Sequence, residues 1–190
     1  MSLSDQLSAF HPWNEQEKKD LDLILFCLRT RPDVFLRSDR LCHMTASAWT
    51  VSRKHDRVLM AFHNIYQSWS WLGGHADGEQ DLLSVALREV REESGIFSVF
   101  PVIRDPFSVE VLTVDGHTRR GEYVSSHLHL NVTYLLEADD SVPPSGNPDE
   151  NSSIAWFSPE KAVSASSEPW FRDHVYDKLN RKMAAFFSHR

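Results

Sequence analysis

The chain has 190 residues, 41% of them hydrophobic and 25% charged, with a formal net charge of -7 at neutral pH. This is enough for one domain with a substantial core, at the composition of an ordinary globular protein. The acidic balance argues against a nucleic-acid partner, which calls for basic patches, and no apolar run is long enough to cross a bilayer.

The first twenty residues lack the basic start and apolar centre of a secretory leader. The two cysteines, Cys27 and Cys42, have no CxxC spacing, which fits buried thiols in a reducing compartment, so a cytoplasmic location is expected. Residues 13–30 read as a helix with Leu21, Leu25 and Leu28 on one face, stopped by Pro32. Residues 1–40 are accordingly expected as a helical extension, and 41–190 as the main domain. From Cys42 the texture is that of strands: 43–51 and 57–63, joined by a polar turn at 52–56, then the short run Trp69-Ser70-Trp71. Further strands are predicted at 97–103, 107–114, 127–137 and 154–157, an irregular loop at 139–153, and a last helix over about 169–187. Strands, helix, strands and a terminal helix indicate an α/β sandwich with a mixed sheet.

The densest signal is Gly73-Gly74-His75-Ala76-Asp77-Gly78-Glu79-Gln80, running directly into Asp81-Leu82-Leu83-Ser84-Val85-Ala86-Leu87-Arg88-Glu89-Val90-Arg91-Glu92-Glu93-Ser94-Gly95-Ile96. Leu82, Leu83, Ala86, Leu87 and Val90 follow the helical period and form a stripe that can face a core. Asp81 suits the N-cap and Gly95 the C′ position. Glu89, Glu92 and Glu93 stand at i, i+3 and i+4, on the flank of that stripe. Like charges at this spacing repel by a few tenths of a kcal/mol per pair. Arg88 can offset part of the repulsion and a divalent cation the rest.

The segment resembles the Nudix box: a glycine, five residues, a glutamate, seven residues, then Arg-Glu-hydrophobic-x-Glu-Glu-x-Gly-hydrophobic. From Gly74, the residues Arg88, Glu89, Val90, Glu92, Glu93, Gly95 and Ile96 match each fixed position of the second half. The glutamate expected six residues after Gly74 is Gln80, with Glu79 beside it, which puts a supporting metal contact or the helix anchor in question. The resemblance implies a Nudix-type α/β/α sandwich with a mixed sheet, here with an extra N-terminal helix. It also implies a Mg²⁺-dependent hydrolase (Mn²⁺ being the alternative ion) that cleaves the pyrophosphate linkage of a nucleoside diphosphate joined to a group X. Glu89, Glu92 and Glu93 would hold the metal, with the carbonyl of Gly74 or Gly73. Arg88 would orient Glu89 or Glu92 by a charge-assisted pair.

Outside the box, Glu150 lies six residues before Trp156, in a loop where members of the family place an extra metal ligand or general base. It is equally readable as an exposed loop carboxylate, with Asp149 and Glu122 as weaker alternates. His75 follows the glycine pair and could touch phosphate or only shape the loop. His127, His129 and Asn131 alternate and share one face of a strand. No third ligand at metal-site spacing is visible, so zinc is not expected, and one or both histidines are read as lining a pocket opposite the box helix. Phe62, Tyr66, Trp69, Trp71 and Trp49 are expected mostly in the core, though any one could stack on a base.

Two other classes compete. Isopentenyl-diphosphate isomerase shares the fold but resembles a degenerate box with a catalytic cysteine near the glycine loop, where this chain has Leu72-Gly73-Gly74. A non-catalytic nucleotide sensor is the runner-up, although such modules often lose box glutamates and this chain retains all three. The likeness to bacterial members assigned to nucleotide sugars is loose, and X is left open. A homodimer through the N-terminal helix or a strand edge is conceivable.

Overall fold

A computed structural model describes residues 2–65, 67–119, 121–146 and 151–188. In chain order the elements are α1 (Leu3–Ser8), α2 (Glu15–Thr30), β1 (Cys42–Ser52), β2 (Val58–His63), β3 (Ser68–Ser70), β4 (Leu72–His75) and α3 (Leu82–Ser94). There follow β5 (Val99–Pro101), β6 (Ser108–Val114), β7 (His117–Arg119), β8 (Glu122–Val124), β9 (His127–Ala138) and β10 (Asn151–Phe157). Helix α4 (Pro159–Ala165) precedes a terminal helix made of α5 (Pro169–Phe171), a π turn over Arg172–Tyr176 and α6 (Asp177–Ser188).

The main sheet runs β10-β2-β1-β9-β5, with β3 continuing the pairing on β2, β4 on β1 and β6 on β9. Strands β1 and β9 pair in parallel from Cys42 opposite Leu128 to Ser52 opposite Ala138, and the other pairings are antiparallel. The sheet is therefore mixed, and β1, buried along its whole length, is its centre. Burial on both faces explains why β1 reads as small and apolar residues with hydroxyls interspersed.

Alternation along β1 and β9 divides the core. On one face Met44, Ala46, Ala48, Leu130, Val132, Tyr134 and Leu136 join Leu82, Val85, Ala86 and Val90 of α3. Leu3 and Leu7 of α1, and Leu21, Ile24 and Cys27 of α2, belong to that same cluster, so the N-terminal helices pack as part of the main core. On the other face Trp49, Val51 and Leu135 meet Tyr176, Leu179 and Met183 of the terminal helix, with Trp49 stacked on Tyr176 at 5.5 Å.

Between the apolar patches of the second face lies a buried charged centre. Glu110 Oε1 accepts from Lys178 Nζ at 3.0 Å, and its Oε2 from Asn131 Nδ2 at 3.0 Å and Thr133 Oγ1 at 2.8 Å. Glu17 Oε1 accepts from Lys182 Nζ and from the Ser108 hydroxyl, both at 2.6 Å. Thr45 and Ser47 donate to Asn131 Oδ1 at 3.0 and 2.9 Å. Burial alone would push the Glu110 carboxyl up, but Lys178 and the hydroxyl donors outweigh it and hold the group below its ordinary range. Burial likewise opposes charge on Lys178, and Glu110 and Glu17 overcome that opposition.

The structure corrects several boundaries. α1 was not anticipated; it is a six-residue helix closed by a capping box between Ser2 and Asp5. The strand expected at 97–103 contracts to Val99–Pro101, because only three positions pair with β9 and Phe97 and Phe100 face solvent. The hairpin of β7 and β8 was also missed; it turns at Gly121, whose φ of +85° needs glycine. Strand β10 is described from Asn151, three residues before the expected start. No helix among the described residues is long and apolar enough to cross a membrane.

Candidate active site

Helix α3 begins and ends as its chemistry dictates. Asp81 caps it, accepting from the Ser84 N–H at 3.3 Å and the Ser84 hydroxyl at 2.7 Å. At the other end Gly95 takes a left-handed φ of +69° and donates its N–H to the Arg91 carbonyl. Leu82, Leu83, Ala86 and Val90 are buried as expected, but Val85 is also buried while Leu87 is only partly so. The helix lies across β4 and β1, which brings its acidic flank to the edge of the sheet.

The three box glutamates have different surroundings. Glu93 is 8% exposed; its Oε1 accepts the Gly73 N–H at 2.9 Å and its Oε2 accepts Asn151 Nδ2 at 2.6 Å. Glu93 thus ties the helix to β4 and to the start of β10. Glu89 lies so close over Gly74 that a β-carbon there would be 2.5 Å from its carboxylate. A glycine is required for that approach. Glu89 also accepts from Arg88 Nη2 at 2.9 Å, a pair that raises the Arg88 pKa. Glu92 is exposed. All three line one cavity of about 470 Å³, together with Arg88, Arg37, Asp77, Glu79 and Ala76.

Three of these cavity residues were missed in the sequence. Arg37 comes from the irregular stretch before β1, where no motif marks it, and its Nε donates to Asp77 Oδ1 at 2.6 Å. That hydrogen bond holds the Asp77 carboxyl below its ordinary range. Asp77 sits in the left-handed region with φ +48°. Glu79, not Gln80, lines the cavity, and its Oε1 accepts the Asp81 N–H at 2.8 Å, at the start of α3. The neighbour of the unmatched box position therefore shapes this end of the site.

The expected residues outside the box fall elsewhere. Glu150, with Asp149 and Tyr66, lies outside the described residues, while Glu122 is exposed on the β7–β8 hairpin. His75, His127 and His129 do not line the carboxylate cavity. Gly74 directs its missing side chain at Glu89, so by alternation His75 points to the opposite face of β4. There its Nε2 lies 3.3 Å from His129 Nε2, which is 3.2 Å from His127 Nε2. His43 of β1, missed in the sequence, completes the group, with ring centroids 4.9 to 5.1 Å from the other three. Burial first, and then the neighbouring histidines, push His129 down to about 2. Burial lowers His43 as well.

The family model for the NUDIX domain matches residues 42–179, from the first residue of β1 into α6. The chain belongs to the Nudix family. Its fold is similar to a Nudix-family hydrolase from Clostridium perfringens, with 18% identity, a TM-score of 0.54, and coverage of 76% of this chain and 97% of that one. A C. elegans Ap4A hydrolase gives 17% identity, a TM-score of 0.53, and 77% and 98% coverage. An E. coli dihydroneopterin triphosphate pyrophosphohydrolase gives 15% identity, a TM-score of 0.51, and 71% and 92% coverage. At these identities the likeness is one of fold. A comparison with curated protein sequences gives no match. Family membership makes the protein a pyrophosphohydrolase of the Nudix type, and the cavity on α3 is lined by residues of the box segment.

Proposed function

We propose that this Nudix protein hydrolyses the pyrophosphate linkage of a nucleoside diphosphate joined to a group X, with Mg²⁺ as cofactor. The observation that carries the reading is the common cleft of Glu89, Glu92 and Glu93, into which no other helix contributes a lining residue among those described. Its donor set is made of hard carboxylate oxygens, which suits Mg²⁺ far better than a soft metal. Five carboxylates face two guanidinium groups in the cavity, so a polyphosphate needs added positive charge to enter. The close seat of Glu89 on Gly74 fits a loop that must bring backbone and carboxylates to one point.

Glu89, Glu92 and Glu93 would hold the ion, with a carbonyl of Gly73 or Gly74 beside them. When bound, Mg²⁺ neutralises charge on the diphosphate and acidifies a water. Arg88 orients Glu89 through its 2.9 Å pair. Gly73 and Asn151 fix Glu93, one on each oxygen. Arg37, pinned by Asp77, adds a second cation at the rim for an anionic substrate. The water's proton goes to a carboxylate: one of the box glutamates or Glu150, which immediately precedes Asn151.

Phosphate release from a panel of nucleotide diphosphate compounds, nucleotide sugars included, coupled to a phosphatase and run with Mg²⁺ beside Glu92→Gln and Glu93→Gln, tests this. Turnover of one class, most of it lost in both variants, is the expected result. Full activity in both variants would overturn the site assignment, and tight nucleotide binding without turnover would favour a sensor.

A further inference from the structure

The four clustered histidines have no part in the chemistry above, and their arrangement is that of a ligand set. We propose that His43, His75 and His129 form a zinc site on the face of β4 opposite the Nudix-box cleft, with His127 supplying a further imidazole nitrogen beside them. One nitrogen from each of the first three lies within 4.8 Å of those of the other two. A tetrahedral ion with Zn–N bonds of 2.0–2.1 Å sets its ligand nitrogens about 3.3 Å apart. His75 and His129 already stand at 3.3 Å, Nε2 to Nε2, and His127 and His129 at 3.2 Å.

The protonation pattern points the same way. His43 Nδ1 lies 3.1 Å from the Asp39 carbonyl oxygen, and His127 Nδ1 2.9 Å from that of Ser125. A carbonyl can only accept, so in each ring Nδ1 carries a proton, and deprotonation leaves the lone pair on Nε2. Carbonyls in this position are the usual outer partners of metal-bound histidine, fixing tautomer and ring orientation. His43 is 5% exposed, yet its Nε2 is buried with no hydrogen-bond partner among the described residues. A buried nitrogen lone pair without a partner is costly. His129 Nε2 faces two imidazole nitrogens with at most one proton to give, so protons alone serve the group poorly. A divalent ion that prefers imidazole accepts all these lone pairs at once.

The ligands come one each from β1, β4 and β9, three strands adjacent in the sheet. His43 pairs with His129 across the parallel ladder, and His75 pairs with Thr45. Zinc here would clamp β4, and with it Gly73 and Gly74, to the sheet centre. The site is therefore structural, on the side of the glycine pair away from the carboxylates.

Metal-stripped protein titrated with Zn²⁺ against a chromophoric chelator should take up one tight equivalent. His43→Gln and His129→Gln should each weaken it by about a hundredfold or more, while the Glu92→Gln/Glu93→Gln double variant should keep it. Co²⁺ in place of Zn²⁺ should give the intense visible bands of a four-coordinate ion. Equal zinc affinity in the histidine variants, or loss of the equivalent only in the glutamate variant, would overturn the proposal. Should a histidine variant fail to fold, X-ray absorption of the zinc-loaded wild-type protein decides. A shell of imidazole nitrogens near 2.0 Å supports the site, and an oxygen shell overturns it.

Discussion

The two sides of strand β4 are built on opposite principles. On one side, three carboxylates from a single helix line one cleft, Glu92 exposed and Glu93 buried, and Arg88 offsets part of their mutual repulsion. On the other, imidazoles come one or two at a time from three strands, His43 buried and the rest half-buried, beside a buried Glu17–Glu110–Lys178–Lys182 centre. A helix repeats its acids every three or four residues, so the three glutamates share a flank from local spacing alone. The imidazole cluster and the charged centre exist only once β1, β4, β6 and β9 are in register. The cleft should therefore answer to substitution through turnover, and the opposite face through stability.

The largest effect is expected at the charged centre. Glu110→Leu leaves Lys178 buried with its main partner gone, and removing one member of such a pair costs about 3–5 kcal/mol. Urea unfolding measures this, and turnover per folded molecule should be unchanged. A loss below about 1 kcal/mol would show that the centre contributes little. At the cleft, Glu92→Gln should lower kcat by roughly a hundredfold with an unaltered melting temperature, because Glu92 is exposed and not engaged in packing. Glu93→Gln should do both, since it weakens charge-assisted bonds from Gly73 and Asn151 worth about 1.5–3 kcal/mol. Equal melting curves for the two variants would break that distinction.

Gly74→Ala tests the boundary between the two sides. Its β-carbon would lie 2.5 Å from the Glu89 carboxylate, so Glu89 must move and turnover should fall about tenfold or more. An active Gly74→Ala enzyme would show that the seat of Glu89 is unimportant. The smallest effect concerns the turn leading into β1. Hydrogen bonds from Arg31 hold Asp39 down to about 2, from an ordinary 3.8. A depressed carboxylate stabilises the fold above pH 3.8, and the contribution is lost as pH falls through about 2. Asp39→Asn should cost about 1 kcal/mol at neutral pH and progressively less as pH falls through about 2, measured by unfolding across that range.

Contiguous chemistry was legible and assembled chemistry was not. Helix α3, its caps Asp81 and Gly95 and the shared flank of Glu89, Glu92 and Glu93 all follow from spacing within 24 residues. The alternation of His127, His129 and Asn131 was equally plain, but their companions were not. His43 stands 86 residues before His129 and meets it only through the parallel pairing of β1 with β9. That is why the histidine pair was expected to lack a third ligand, and why Glu17 gave no hint of a partner in Lys182. Arg37 was invisible for a related reason: an arginine in an irregular stretch has no period to mark which way it faces.

By itself the sequence determined a Nudix box on a capped amphipathic helix and a mixed α/β fold around it. Local period and end chemistry depend only on neighbours in the chain. Tertiary structure decided which face of β4 each side chain takes, that Gly74 seats Glu89, that Arg37 and Glu79 complete the cleft, and that four distant histidines converge. Strand register and the packing of helices on the two faces set those distances, and both are properties of the whole sheet.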